Sequence, residues 1–186
     1  MIEALSNIFT SFGLSASAGL NAYLPLLIVA LVARFTDLIR LNAPFDALTN
    51  GWVIALLTVL TLIEVLVDKI PVVDTINDII QTVVRPAAGA ILFAASSNAI
   101  SDIHPVLALV CGILVAGTVH AAKTTTRPLV TATAAGTANP IASTAEDIIA
   151  GIVSLLSILV PIVAFILIVI GVWLILRSLR YSRAHA

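Results

Sequence analysis

Val106-Leu-Ala-Leu-Val-Cys111-Gly-Ile-Leu-Val-Ala-Gly-Thr-Val-His120-Ala-Ala-Lys123-Thr-Thr-Thr-Arg127-Pro128 decides the fold class. It runs from Val106 to Val119 without a charge, then meets a histidine, a lysine and an arginine in quick succession. A second apolar run, Ile148 to Ile175, follows Asn139-Pro140 and the adjacent carboxylates Glu146-Asp147. A helix crossing a bilayer needs about 20 mostly apolar residues. The stretch therefore predicts apolar spans separated by polar junctions, and the junctions carry the chemistry.

The whole chain agrees. It has 186 residues, 60% of them apolar and only 10% charged, with a mean hydropathy of +1.16. Soluble proteins average about 25% charged residues, and a domain this small cannot hide so much apolar surface from water. The composition predicts one polytopic membrane domain over residues 1–186. Its net charge of −1 offers no electrostatic footprint for nucleic acid. The single Cys111, set in an apolar run, provides neither a disulfide framework nor a thiolate metal site. Residues 1–12 hold Glu3 but no Lys or Arg, so a cleavable leader is not expected.

Working outward, the apolar runs predict about five transmembrane helices with one or two interfacial or re-entrant amphipathic helices. The first span covers Gly13 to Ala33, with Gly13/Ser17 and Ser15/Gly19 at a spacing that lets backbones approach closely. Asn21 and Pro25 place an amide and a kink within it. The second is Gly51 to Val67, with Glu64 near its end and Asp68-Lys69 beyond. Residues 72–84 alternate Ile and Val with Asp74, Asn77, Asp78 and Gln81 at helical steps, which predicts an amphipathic helix lying in the interface or folded back into the protein. Asp74, Asn77 and Asp78 read as a solvated face. Pro86 to Ile100 is a short third span and Val106 to His120 the fourth. The fifth, Ile148 to Leu176, would reach about 44 Å at 1.5 Å per residue, beyond the roughly 30 Å hydrocarbon core. It must tilt or bend, and Pro161 is the place.

A weak parallel internal repeat is also visible. A shift of 54 residues lays Val53–Lys69 on Leu107–Lys123 and Arg85-Pro86 on Asn139-Pro140, giving repeat units 51–104 and 105–176. Basic bias puts the tail arginines Arg177, Arg180 and Arg183 with Arg34 and Arg40 on the cytoplasmic side. The lysine junctions then fall on the other.

Ionisable groups at membrane depth are expensive unless paired or hydrated. Glu64 and Asp68 share a helix face, as do His120, Lys123 and Arg127 if the helix continues. The expected polar network is Glu64, Asp68, Lys69, Arg85, His120, Lys123, Arg127 and Asp147. With Asp74, Asp78 and Glu146 counted beside them, four permanent cations stand against six carboxylates, a slightly acidic region that disfavours a phosphate funnel and leaves open a cation or proton route or a self-satisfied structural network. Ordinary readings stand beside the functional ones. Ser143-Thr-Ala-Glu146 has the form of a capping box, and Lys69 and Lys123 can snorkel to headgroups. No phosphate-binding glycine loop, zinc-spaced histidine pair or nucleophile elbow is present. No enzyme activity, cofactor or metal is expected.

Gly19-Leu-Asn21-Ala-Tyr-Leu-Pro25, Asp68-Lys69-Ile-Pro71-Val-Val-Asp74, Arg85-Pro86 and His120-Ala-Ala-Lys123 with Arg127, Asn139, Ser143 and Glu146-Asp147 together cover nearly the whole chain. In these blocks the sequence resembles the bacterial membrane family known as domain of unknown function 4126. Thr131 to Ala138 departs from that family's pattern, so no carboxylate role is carried onto the loop. The resemblance implies a small polytopic protein of the bacterial inner membrane and no established activity. Two functions are open: a small-solute or cation transporter or channel, and a structural or assembly subunit of a membrane complex. The lipid bilayer is the expected surrounding, with a homo-oligomer or membrane complex as possible assembly.

Overall fold

The computed structural model describes residues 2–69, 73–97, 103–133 and 139–184. Among these the regular structure is helical throughout. The helices are α1 (Ile2–Leu20), α2 (Tyr23–Phe35), α3 (Gly51–Val67), α4 (Val73–Ser97), α5 (Pro105–Thr133), α6 (Asn139–Leu159) and α7 (Pro161–Ala184). A 3-10 turn at Phe45–Thr49 links α2 to α3. Among the described residues three stretches are long and apolar enough to cross a membrane: Asn77–Ser97, Pro105–Thr126 and Pro140–Leu159. Their 20 to 22 residues correspond to about 30 Å of helix, the thickness of a bilayer core.

Polarity is inverted relative to a soluble protein. Arg85, Glu64, Gln81 and Asn21 are among the largest fully buried side chains, while Trp52, Ile79 and Val83 are more than two-thirds exposed. Water would penalise that arrangement and lipid rewards it, because exposed hydrocarbon costs nothing in a hydrocarbon solvent. At the centre stands α1, packed against α4, α5, α6 and α7. Its small residues explain why. Ser15 Oγ donates to the Gly89 carbonyl at 2.7 Å, Ser17 Oγ to the Ala150 carbonyl at 2.6 Å, and Thr10 Oγ1 to the Ser157 carbonyl at 2.9 Å. Such short side chains bring a neighbour's backbone within hydrogen-bonding range. The closest crossing is α4 over α5, where a methyl on Gly112 would lie 2.6 Å from Ala90 Cα.

Several expected boundaries shift. Residues 2–12 do not form a separate helix but open α1, and the first expected span is broken at Asn21-Ala22 rather than kinked at Pro25. Pro25 lies in the first turn of α2, where a missing N–H costs no rung. The amphipathic segment and the third span are one helix, α4, with Pro86 inside it. Its polar face points inward, because Gln81 is 2% exposed and Arg85 fully buried, whereas Ile80 and Val83 face out. The solvated-face reading of Asn77 and Asp78 is thereby corrected. α5 also continues through Lys123, Arg127 and Pro128 to Thr133, so this polar stretch is helix and not a loop. Residues 70–72, holding Ile70-Pro71, and 134–138 lie outside the described residues.

Pro161 does more than bend the last apolar run. α6 descends antiparallel to α1, since Asn21 meets Asp147, Ser17 meets Ala150, and Thr10 meets Ser157. α7 then doubles back. Phe165 stacks on Phe9 and Phe12 near the start of α1, while Val169 and Trp173 line one groove with Ala16, Thr118 and Val119. The tail therefore heads toward the end that holds the lysines. Arg34 lies at the other end, bonded to the Thr49 carbonyl, beside the turn whose Phe45 packs with Phe93 and Ala108. This corrects the expectation that Arg34, Arg40 and the tail share one side opposite the lysine junctions.

Candidate functional site: a charged network around a broken helix

The site forms where α1 stops and α2 starts. A helix end leaves its outer amides or carbonyls without intrahelical partners, and here side chains from other helices supply them. The Glu64 carboxylate of α3 accepts from the Ala22 amide at 3.2 Å and the Tyr23 amide at 3.3 Å. Asn21 Oδ1 accepts from the Leu24 amide at 2.9 Å, and Pro25 has no N–H to satisfy. At the opposite pole of the break, Lys123 Nζ donates to the Leu20 carbonyl at 3.2 Å. An anion thus sits on the positive N-terminus of α2, and a cation on the negative C-terminus of α1, as the helix dipoles favour.

Both poles belong to one network. Arg85 of α4, fully buried, donates Nη2 to Glu64 Oε1 at 3.2 Å and lies 3.6 Å from both Asp68 Oδ2 and Asp78 Oδ1. Lys123 pairs with Glu146 Oε2 at 2.8 Å and Asp68 Oδ2 at 3.6 Å. Asp147 accepts from Asn21 Nδ2 at 2.9 Å, and Lys69 Nζ lies 3.9 Å from its other oxygen. Asn77 Nδ2 donates to Asp68 Oδ1 at 2.7 Å. Each of α1 to α6 contributes a group. At roughly 4 Å in a poorly solvated site such attractions are large, and so are the desolvation costs they offset.

His120 has a defined protonation form here. Arg85 Nη1 lies 2.9 Å from its Nδ1, and a guanidinium can only donate. Nδ1 is therefore the acceptor and the ring proton is on Nε2. That N–H points to Thr82 Oγ1 at 3.2 Å, whose own hydroxyl donates to the Asp78 carbonyl at 2.8 Å. The imidazole serves as a neutral spacer between α4 and α5, orienting the guanidinium.

Seven of the eight expected residues meet here: Glu64, Asp68, Lys69, Arg85, His120, Lys123 and Asp147. The eighth, Arg127, is on α5, but its side chain lies outside the described residues, as does that of Asp74. Lys123, with 2% of its side chain exposed, does not snorkel. Lys69 is one-third exposed and also bonds the Val65 carbonyl at 3.0 Å, so it sits at the rim. Glu146 is not a helix cap. α6 begins at Asn139, four residues before Ser143, and Glu146 is the closest partner of Lys123. Asn21, Asn77, Thr82 and the α2 amides join the network without being among the residues the sequence predicts for it. Asn21 carried the available signal, as an amide four residues before a proline within an apolar run.

Among the described side chains the network joins five carboxylates (Glu64, Asp68, Asp78, Glu146, Asp147) with three permanent cations (Lys69, Arg85, Lys123). Among the described residues Ser143 Oγ, Gln81 Oε1 and Arg85 Nε are buried without a hydrogen-bond partner. No group of three or more His, Cys, Asp or Glu among the described residues has the arrangement of a metal site.

Fold and site define a class: a helical membrane-type protein whose polar interior is organised around a discontinuous helix. Over residues 8–181 the chain matches the family described as a domain of unknown function (DUF4126), and it belongs to that family. Neither a curated protein nor a solved structure matches it.

Proposed function

We propose that the protein is a small transporter or channel for a cation or small solute, with the network around the α1–α2 break as its polar centre. The break carries this reading. Discontinuous helices, with half-helix termini facing charged groups, are the usual construction of solute and ion sites in transporters. Here both termini are occupied by the protein's own charged groups, Glu64 and Lys123, each paired elsewhere in the network, as in a closed state. The six carboxylates and four permanent cations that the sequence brings to these junctions favour a cation over an anion. Purified protein in proteoliposomes is expected to dissipate a sodium, potassium or proton gradient. Glu64→Gln should lower that flux at least tenfold while the protein still elutes as a single species with unchanged helicity. A parent protein that passes none of these cations, or a variant that passes them equally well, overturns the reading.

The finer architecture belongs to the same proposal. α1 and α7 would join the three long apolar helices to make five crossings, with α2 and α3 as a shorter pair. The parallel repeat would relate α3 to α5. The protein would reside in the bacterial inner membrane with its C-terminus in the cytoplasm. A second reading, a structural or assembly subunit, is favoured by one observation: Glu64 and Arg85 are wholly buried and matched to each other at 3.2 Å. It predicts that network substitutions change only stability and the recovery of partners from membranes.

A further inference from the structure

An apolar groove of about 500 Å³ runs between α1, α5 and α7 on the lipid-exposed side of the bundle. Its floor is Phe12, Ala16 and Val119, and Phe165, Val169 and Trp173 form one wall. Thr118, the one hydroxyl among its lining residues, is engaged with the Leu114 carbonyl at 2.7 Å. Apart from the Trp173 indole N–H the rest of the lining is hydrocarbon, and the groove takes hydrocarbon. At the Trp173 end, the Arg177 guanidinium lies over the indole, 5.2 Å from the ring centroid. Arg177 is exposed and makes no ion pair among the described residues.

We infer that this groove binds one acyl chain of an anionic phospholipid, with the headgroup phosphate on Arg177. The length suits one acyl chain. Phe165 to Trp173 spans about 12 Å at 1.5 Å per residue, close to one leaflet of a core about 30 Å thick. Charge and position agree: tryptophan and arginine gather at the headgroup level, and Arg177 sits one turn beyond Trp173. The guanidinium is held by the indole with its donors free for phosphate. The inference is independent of the transport reading and holds equally for a structural subunit.

Trp52 and Trp173 are the two tryptophans, so Trp52→Phe leaves Trp173 as sole reporter. This variant is reconstituted into vesicles containing either phosphatidylglycerol or phosphatidylcholine with brominated acyl chains. Half-maximal quenching of Trp173 is expected at about a fivefold lower mole fraction of the anionic lipid. That ratio corresponds to the roughly 1 kcal/mol one basic residue contributes near an anionic surface. Arg177→Gln on this background should remove the preference, and Arg177→Lys should keep it. Equal quenching by both lipids before any change at Arg177 overturns the inference. So does a Trp173 shielded from both lipids, the result expected if a second copy of the chain covers the groove.

Discussion

Arg85 shows how a single side chain can be indispensable to a membrane interior. Its guanidinium has no exposed surface and faces Glu64, Asp68, Asp78 and His120 at 2.9 to 3.6 Å. Removing one partner of a buried ion pair costs about 3–5 kcal/mol, because the other charge stays buried and uncompensated. Arg85→Met is therefore expected to lower stability by at least that amount, leaving three carboxylates facing one another. Lys69→Met is the contrast. Its ammonium is one-third exposed and 3.9 Å from Asp147, and partly solvated pairs at that distance contribute at most about 1 kcal/mol. Thermal unfolding in detergent micelles checks both; equal losses from the two variants would contradict the buried-network description. The type of these residues was legible from the sequence, since charge in an apolar chain stands out. Their partners were not. Glu146 satisfies the spacing of a capping box, and only the start of α6 at Asn139 reveals that it faces Lys123 instead.

At the scale of elements, contact depends on what is absent from the helix surfaces. α4 and α5 cross through Gly89 and Gly112, and a methyl on Gly112 would meet Ala90 Cα at 2.6 Å and its nitrogen at 2.8 Å. Those are backbone atoms, which cannot rotate away. Gly112→Ala is expected to destabilise by about 1–3 kcal/mol, the usual range for overpacking, or to push the two helices apart. Gly171→Ala on α7 meets nothing within 4 Å and should be neutral or stabilising by up to about 1 kcal/mol through helix propensity. Melting curves of the two variants, with opposite expected shifts, check this. Helices were legible from the sequence wherever an apolar run was long. Their ends were not, for a physical reason. A proline in an apolar run reads as a kink at Pro25 and as a helix start at Pro86, yet both are accommodated within α2 and α4. The interruption that builds the site falls at Asn21, where the amide side chain bonds both the following backbone and Asp147.

At the scale of the molecule, direction along the bundle separates sequence reading from structure. Ile148 to Leu176 reads as one span, tilted or bent at Pro161, which puts the tail on the same side as Arg34. An apolar run has no mark for reversal: Val160-Pro161 reads the same whether the chain bends or turns back. What decides is the partner of each end. Phe165 finds Phe9 and Phe12, and Trp173 shares a groove with Thr118 and Val119, so α7 returns along α1 and α5. The consequence is testable without knowing the function. On a Cys111→Ser background, which removes the only thiol, Ala47→Cys reports the turn between α2 and α3, and Ala184→Cys reports the end of α7. In sealed vesicles a membrane-impermeant maleimide is expected to label one of the two and spare the other until detergent is added. Labelling of both from one side would restore the single tilted helix. It would also separate the tail from the lysine end of the network, because Arg34 and the 3-10 turn are fixed by Thr49 and Phe45 at the opposite end.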